Sequence, residues 1–129
     1  MCYYNTMSSL KILIVDDSPQ IRKSLRDILE KNQFSVVGEA GSGTEAIKQF
    51  SLLSPDVIML DIIMPQLGGI ETLRMLRNLN KDVKVIIVSA LDSLDRVKEC
   101  MKAGANHYIL KPFEETKVIE IIRKLSCTQ

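Results

Sequence analysis

Residues 55–69 read Pro-Asp-Val-Ile-Met-Leu-Asp-Ile-Ile-Met-Pro-Gln-Leu-Gly-Gly. Val57 to Leu60 form a short continuous apolar run, the pattern expected of a strand buried on both faces of a parallel sheet. Asp61 ends the run, and Pro65, Gly68 and Gly69 mark the loop behind it. A carboxylate at the end of a buried strand has two readings: it caps loop amides, or it joins groups brought to the same place by other strands. The neighbouring segments decide between them.

Upstream, Leu10 to Val15 is a nearly continuous apolar run that stops at Asp16-Asp17. Ser18 is placed to N-cap a helix with Pro19 at its first position, and Ile21, Leu25, Ile28 and Leu29 repeat on one helical face. A strand is expected around Phe34 to Glu39. Ser42 with Glu45 then predicts a capping box, opening a helix that carries Ala46, Ile47, Phe50 and Leu53 and stops at Pro55.

Downstream, Ile70, Leu73, Leu76 and Leu79 form another helical stripe, followed by a strand over Val83 to Val88 that runs into Ser89-Ala90. Asp92 or Ser93 is expected to cap a helix through Ala103, with Leu94, Val97 and Met101 inward and Gly104 as its stop. Asn106 to Leu110 reads as a fifth strand broken by Lys111-Pro112-Phe113, and Val118, Ile119, Ile122 and Leu125 mark the last helix.

Strand and helix alternate throughout, which predicts an α/β fold with a doubly wound five-stranded parallel sheet in a three-layer sandwich. Right-handed crossovers with one change of winding direction leave few strand orders, 2-1-3-4-5 among them. The expected organisation is a tail over residues 1–9 and one domain over residues 10–126. The 129 residues suffice for a single core. Lys and Arg number 17 against 16 Asp and Glu, so no whole-domain charge favours nucleic acid or an anionic membrane. Cys2, Cys100 and Cys127 lack the paired spacing of a disulfide framework or zinc cluster, and neither a secretion signal nor a membrane span is visible. A cytoplasmic monomer is expected.

In such a sheet ligands bind beyond the carboxyl ends of the strands at the switch point. Those ends carry Asp16-Asp17, Asp61, Ser89 and Lys111. Singly, the aspartates read as caps, Ser89 as a loop hydroxyl and Lys111 as a solvated lysine. Jointly they are complementary. Three clustered carboxylates repel one another unless a cation compensates, and an all-oxygen donor set suits Mg2+, with Mn2+ as a substitute. A neutralised carboxylate beside a divalent cation and a lysine is arranged for phosphoryl transfer, with Asp61 as nucleophile, and Ser89 and Lys111 binding phosphoryl oxygens.

From Leu10 to Leu125 the pattern resembles the receiver domain of two-component response regulators. The motifs that carry the resemblance are Val-Asp-Asp-Ser (15–18), Asp-Ile-Ile-Met-Pro-Gln-Leu-Gly-Gly (61–69), Ser-Ala (89–90), Ala-Gly-Ala (103–105) and Lys-Pro-Phe (111–113). It implies metal binding by Asp17, Asp61 and the Ile63 carbonyl, with Asp16 holding a metal-bound water. It further implies Asp61 as phosphoacceptor from a sensor histidine kinase, Ser89 as the switch hydroxyl, Lys111 as the phosphoryl clamp, Tyr108 as a rotating aromatic and a cis Lys111-Pro112 bond. The partners expected are that kinase and a downstream target protein or phosphatase. A switch of single-domain chemotaxis type is expected, rather than a turnover enzyme, with a phosphorelay intermediate or a fragment of a larger regulator as alternatives.

The sequence departs from the family pattern in a few places. Gly68 stands where an Asp or Asn is common, which loosens the loop. Ser89 replaces the commoner threonine. Ile63 and Leu91 are apolar where polar groups in some relatives guide water, so both are expected to lengthen the life of an acyl phosphate. A flavodoxin-like cofactor binder is the alternative of another class, but Asp16-Asp17 would repel a cofactor phosphate where a phosphate cradle is needed. A haloacid-dehalogenase-type phosphatase needs a carboxylate where Ile63 stands. A degenerate receiver is disfavoured because the phosphorylation residues are all present. His107, lacking a paired ligand, reads as structural or solvated, and Cys100 as a packing or exposed residue.

Overall fold

The computed structural model describes residues 10–126. The tail expected over residues 1–9, with Cys2, and also Cys127, lie outside the described residues. The strands are β1 (Lys11–Val15), β2 (Ser35–Ala40), β3 (Val57–Leu60), β4 (Lys84–Ser89) and β5 (His107–Leu110). They alternate with helices α1 (Pro19–Lys31), α2 (Gly43–Leu53), α3 (Gly69–Leu79), α4 (Leu94–Lys102) and α5 (Glu115–Ser126). All strand pairs are parallel, in the order β2-β1-β3-β4-β5.

Alternation along each strand divides the core in two, because successive side chains point to opposite faces. Leu13, Val15, Ile58, Leu60, Val85 and Ile87 meet Ala46 and Phe50 of α2, Ile70, Leu73 and Leu76 of α3, and Cys100 of α4. Ile12, Ile14, Val57, Met59, Ile86, Val88 and Ile109 meet Leu25 and Leu29 of α1 and Val118, Ile119, Ile121, Ile122 and Leu125 of α5. Both faces being covered explains why the central strands read as unbroken apolar runs. Each such side chain contributes roughly 1.5–3 kcal/mol on full burial.

The helix ends follow local chemistry. The Ile21 N–H donates to Ser18 Oγ at 3.3 Å, with Pro19 at the first position. Glu45 N–H donates to Ser42 Oγ at 3.2 Å, but the Glu45 carboxylate reaches back to the Gly41 N–H at 2.6 Å rather than to that of Ser42. The expected capping box is thus displaced by one residue on its return arm.

The α4 prediction needs correction. Ser93 occupies the N-cap position without a side-chain cap bond. Leu94 is 65% exposed and Met101 42%, while Cys100 is fully buried. β5 is an edge strand, so α4, on the crossover to it, buries only a narrow strip and leaves the rest of its apolar stripe open. Leu79, at the last position of α3, is likewise exposed. β5 starts one residue later than expected. Asn106 instead donates its N–H to Val85 O and accepts the Val85 N–H on Oδ1, each at 2.8 Å.

Candidate functional site

The sheet ladder itself places the strand ends. The Asp16 N–H donates to Ala40 O at 3.0 Å, that of Asp61 to Val15 O at 2.9 Å, and that of Lys111 to Ser89 O at 2.9 Å. Asp16 and Asp61 therefore sit side by side one residue past the Val15–Leu60 pair, and Lys111 one past the Ser89–Leu110 pair.

Asp16, Asp17 and Asp61 each offer an oxygen within 4.8 Å of the others. Asp16 and Asp61 are buried and Asp17 is exposed. Lys111 Nζ bridges the two buried carboxylates, 2.7 Å from Asp16 Oδ2 and 3.1 Å from Asp61 Oδ2. The remaining oxygens are held locally: Ser18 N–H donates to Asp16 Oδ1 at 2.9 Å and Ile63 N–H to Asp61 Oδ1 at 3.0 Å.

Burial pushes the Asp61 carboxyl above its ordinary range, outweighing the lowering by the Ile63 N–H and the Lys111 ammonium. Burial works to lower Lys111, but its bonds to Asp16 and Asp61 prevail and raise it. Asp61 and Lys111 thus both hold their protons more tightly than usual. A hard divalent cation meets the same need, and three carboxylates within one coordination sphere fit it by donor chemistry.

Ser89 is fully buried at the end of β4. Its Oγ accepts the Leu91 N–H at 3.3 Å, and the Leu91 carbonyl accepts the Tyr108 hydroxyl at 2.5 Å. One residue's backbone thereby links the strand-four hydroxyl to the strand-five aromatic. Burial pushes the Tyr108 phenol above its ordinary value, opposed by the nearby Ser89 hydroxyl. The Lys111-Pro112 peptide is cis, as expected.

A family model for the response regulator receiver domain matches residues 12–123. The chain belongs to this family. It is 38% identical over 116 residues to the chemotaxis protein CheY of Thermotoga maritima, covering 90% of this chain and 97% of that protein. With CheY of Bacillus subtilis it shares 39% identity over 114 residues, or 88% of this chain and 95% of that one. A crystal structure of the CheX-CheY-BeF3-Mg2+ complex from Borrelia burgdorferi contains a chain that superposes with a TM-score of 0.90 at 32% identity, covering 96% of this chain and 94% of that one. The receiver is accordingly CheY-like, a phosphorylation-dependent response-regulator switch of two-component signal transduction. Among the described residues, no helix is long and apolar enough to cross a membrane.

Within the receiver, Gly68 at the N-cap of α3 and Gly69 at its first position differ. Gly68 has φ −70° and ψ 168°, and a Cβ there would meet only the mobile end of Glu71. Nothing in the backbone demands glycine at Gly68. At Gly69 a Cβ would lie 2.2 Å from Ile62 Cα and 2.5 Å from Asp61 O, because α3 starts against the backbone that carries Asp61. Gly69→Ala is expected to cost about 1–3 kcal/mol, as overpacking does, and to displace Asp61. Urea unfolding reads the cost, and an unchanged midpoint would contradict the close approach.

Two arginines escaped the sequence reading. Arg77 donates to Gly104 O at 2.9 Å, Asn106 Oδ1 at 2.8 Å and the Val83 carbonyl, tying the end of α3 to the segments before β4 and β5. Gly104 has φ +113°, and a Cβ there would also strike Arg77. Arg22 donates to the Asp16 carbonyl at 2.6 Å and to Glu39 Oε1 at 3.0 Å. The available signal was position. Arg22 shares a helical face with Leu25 and Leu29, where a merely solvated charge is out of place.

Proposed function

We propose that the chain switches by accepting a phosphoryl group on Asp61 from a sensor histidine kinase, with Mg2+ held by Asp17, Asp61 and the Ile63 carbonyl. The observation that supports this best is the convergence of Asp16, Asp17 and Asp61 beside Lys111 at the carboxyl edge of the sheet. When bound, the metal neutralises the phosphoryl oxygens and the aspartates, and Mn2+ can substitute for it. Asp16 would support the bound cation through a water rather than as a direct ligand. The bond from Asp61 Oδ2 to phosphorus forms as the bond from phosphorus to the kinase's histidine nitrogen breaks. Lys111 pairs with one phosphoryl oxygen, exchanging a carboxylate for it, and Ser89 donates to another.

The switch follows from the same contacts. Moving Ser89 toward the phosphoryl group disturbs its bond to Leu91, whose carbonyl holds Tyr108. Tyr108 lines a groove with Val97, Leu110, Pro112, Lys117 and Glu120 between α4 and α5, which is the output surface for a downstream target or phosphatase. Converting a 1:99 population to 99:1 takes about 5.5 kcal/mol, so a partial switch takes less. The protein works as a cytoplasmic monomer in chemotaxis-type signalling and is not a turnover enzyme.

Incubation with Mg2+ and acetyl phosphate, followed by intact-protein mass spectrometry, is expected to give one phosphoryl adduct that EDTA prevents. No adduct under conditions that trap short-lived acyl phosphates overturns the reading. Ile63 is half exposed and lines a cleft with Ile62, Met64 and Leu91. Ile63→Asn places a hydrogen-bonding group there for an attacking water, and about tenfold faster decay of the adduct is expected, roughly one hydrogen bond's worth of barrier. A decay rate equal to or slower than wild type would remove the shielding role of Ile63 and Leu91.

A further inference from the structure

We propose that Arg22 is a positioning residue for the Asp17 carboxylate, acting through the Asp16-Asp17 peptide, and thereby sets the affinity of the site for a divalent cation. The inference rests on the metal-binding reading of Asp17 given above. Asp16 is anchored at every polar group: its N–H by Ala40 O, Oδ1 by the Ser18 N–H, Oδ2 by Lys111 Nζ, and its carbonyl by Arg22 Nη1. Asp17 follows as the exposed member of the cluster. The peptide between them is planar, so fixing the direction of the Asp16 carbonyl fixes where the Asp17 Cα lies. Of the four anchors, the bond from Arg22 is the one on that peptide.

Arg22 is itself held. Its Nε donates to Glu39 Oε1 at 3.0 Å, and the other Glu39 oxygen accepts from Arg26 Nε at 2.6 Å. Burial acts to raise the Glu39 carboxyl, but its bonds to Arg26 and Arg22 prevail and hold it below the ordinary range, so it stays ionised. Glu39 pairs with Ile14 across β1 and β2, two residues before Asp16, so the brace runs from the sheet to the acidic loop. The guanidinium reaches the two acceptors from two nitrogens, Nε and Nη1, in a rigid planar fork, a geometry that the single nitrogen of an ammonium does not reproduce.

Charge and position predict opposite signs. A guanidinium beside a cation site repels the cation, so a role through charge means that Arg22→Met tightens metal binding. A positioning role means that Arg22→Met weakens it, about tenfold, the lower end for losing an outer-shell partner. Mg2+ titrations followed by backbone amide NMR on the full chain decide between them. The expected series is wild type tightest, Arg22→Lys several-fold weaker and Arg22→Met weakest, measured where each variant is folded. Urea unfolding in EDTA separates this from a loss of fold, since a merely structural role lowers stability without moving the Mg2+ affinity of the folded protein. If Arg22→Met does not fold, Arg22→Lys and Glu39→Gln carry the test, both with weaker binding expected. Unchanged or tighter binding in the folded variants overturns the positioning role. Wild type that binds no Mg2+, or Asp17→Asn that binds it as tightly, overturns the metal reading underneath.

Discussion

Asp61→Asn is expected to abolish the phosphoryl adduct and, in metal-free buffer, to yield a protein more stable than wild type. The first effect follows because the amide oxygen cannot form the acyl phosphate, and among the described residues Asp16 is the one other carboxylate ion-paired with Lys111. The second effect follows from burial. The Asp61 carboxyl is raised above the 3.8 of an unfolded aspartate chiefly by desolvation. A raised carboxyl binds its proton more tightly in the folded state, so its penalty is absent below the unfolded pKa, grows as pH rises through the folded pKa, and is complete above it. Asn carries no such penalty, can still accept the Ile63 N–H, and leaves Lys111 paired with Asp16. Urea unfolding in EDTA should therefore show the variant gaining more over wild type at pH 8 than at pH 4. An adduct retained at full level in Asp61→Asn would end the phosphoacceptor assignment. A pH-independent difference would end the account of its burial.

These two effects pull apart stability and function at one residue, and the sequence could show only one of them. The pattern of strand-end carboxylates was legible because the fold of a parallel sheet is written in long-range regularities: unbroken apolar runs for doubly covered strands, and apolar repeats for the helices between them. Once Val15 and Leu60 are adjacent strand ends, Asp16 and Asp61 must be neighbours. Lys111 follows by the same logic from the Ser89–Leu110 pair. What was not legible depends on direction rather than periodicity. The stripe Leu94, Val97 and Met101 is apolar, yet Leu94 and Met101 face out because an edge helix has less sheet to cover. Cys100 is buried instead, although a lone cysteine carries no such signal. The brace of Arg22 on Asp16 and Glu39 joins residues separated by 6 and 17 positions through side-chain reach, which no repeat encodes. Gly69 was readable as a loop glycine, but not that α3 starts against the Asp61 carbonyl.

Replacing Lys111 should produce the largest change in stability. Its side chain is 17% exposed, and those of Asp16 and Asp61 are 2% and 5%, so the ammonium is the compensating charge for two carboxylates removed from water. Removing one partner of a buried pair costs about 3–5 kcal/mol, because the partner charge is left uncompensated. Lys111→Met keeps much of the stem while deleting the charge, and in EDTA a loss of about 3 kcal/mol, or roughly 10 °C in Tm for a chain of this size, is expected. Without the ammonium the folded Asp61 carboxyl rises further above its unfolded value, so the deficit shrinks as pH falls and protonation removes the charge. Mg2+ must act in the same direction. Free cation at a hundred times its Kd adds about 2.7 kcal/mol to any folded state that binds it, and the variant's more negative site should bind more tightly than the wild type's. The gap between Lys111→Met and wild type is therefore expected to be wide in EDTA at pH 8, narrower at pH 5 and narrower again in Mg2+, while phosphoryl transfer stays impaired because the clamp is gone. A deficit equal under all three conditions would mean that Lys111 holds the fold by packing its stem. In that case the charge balance of the site would have to be sought elsewhere.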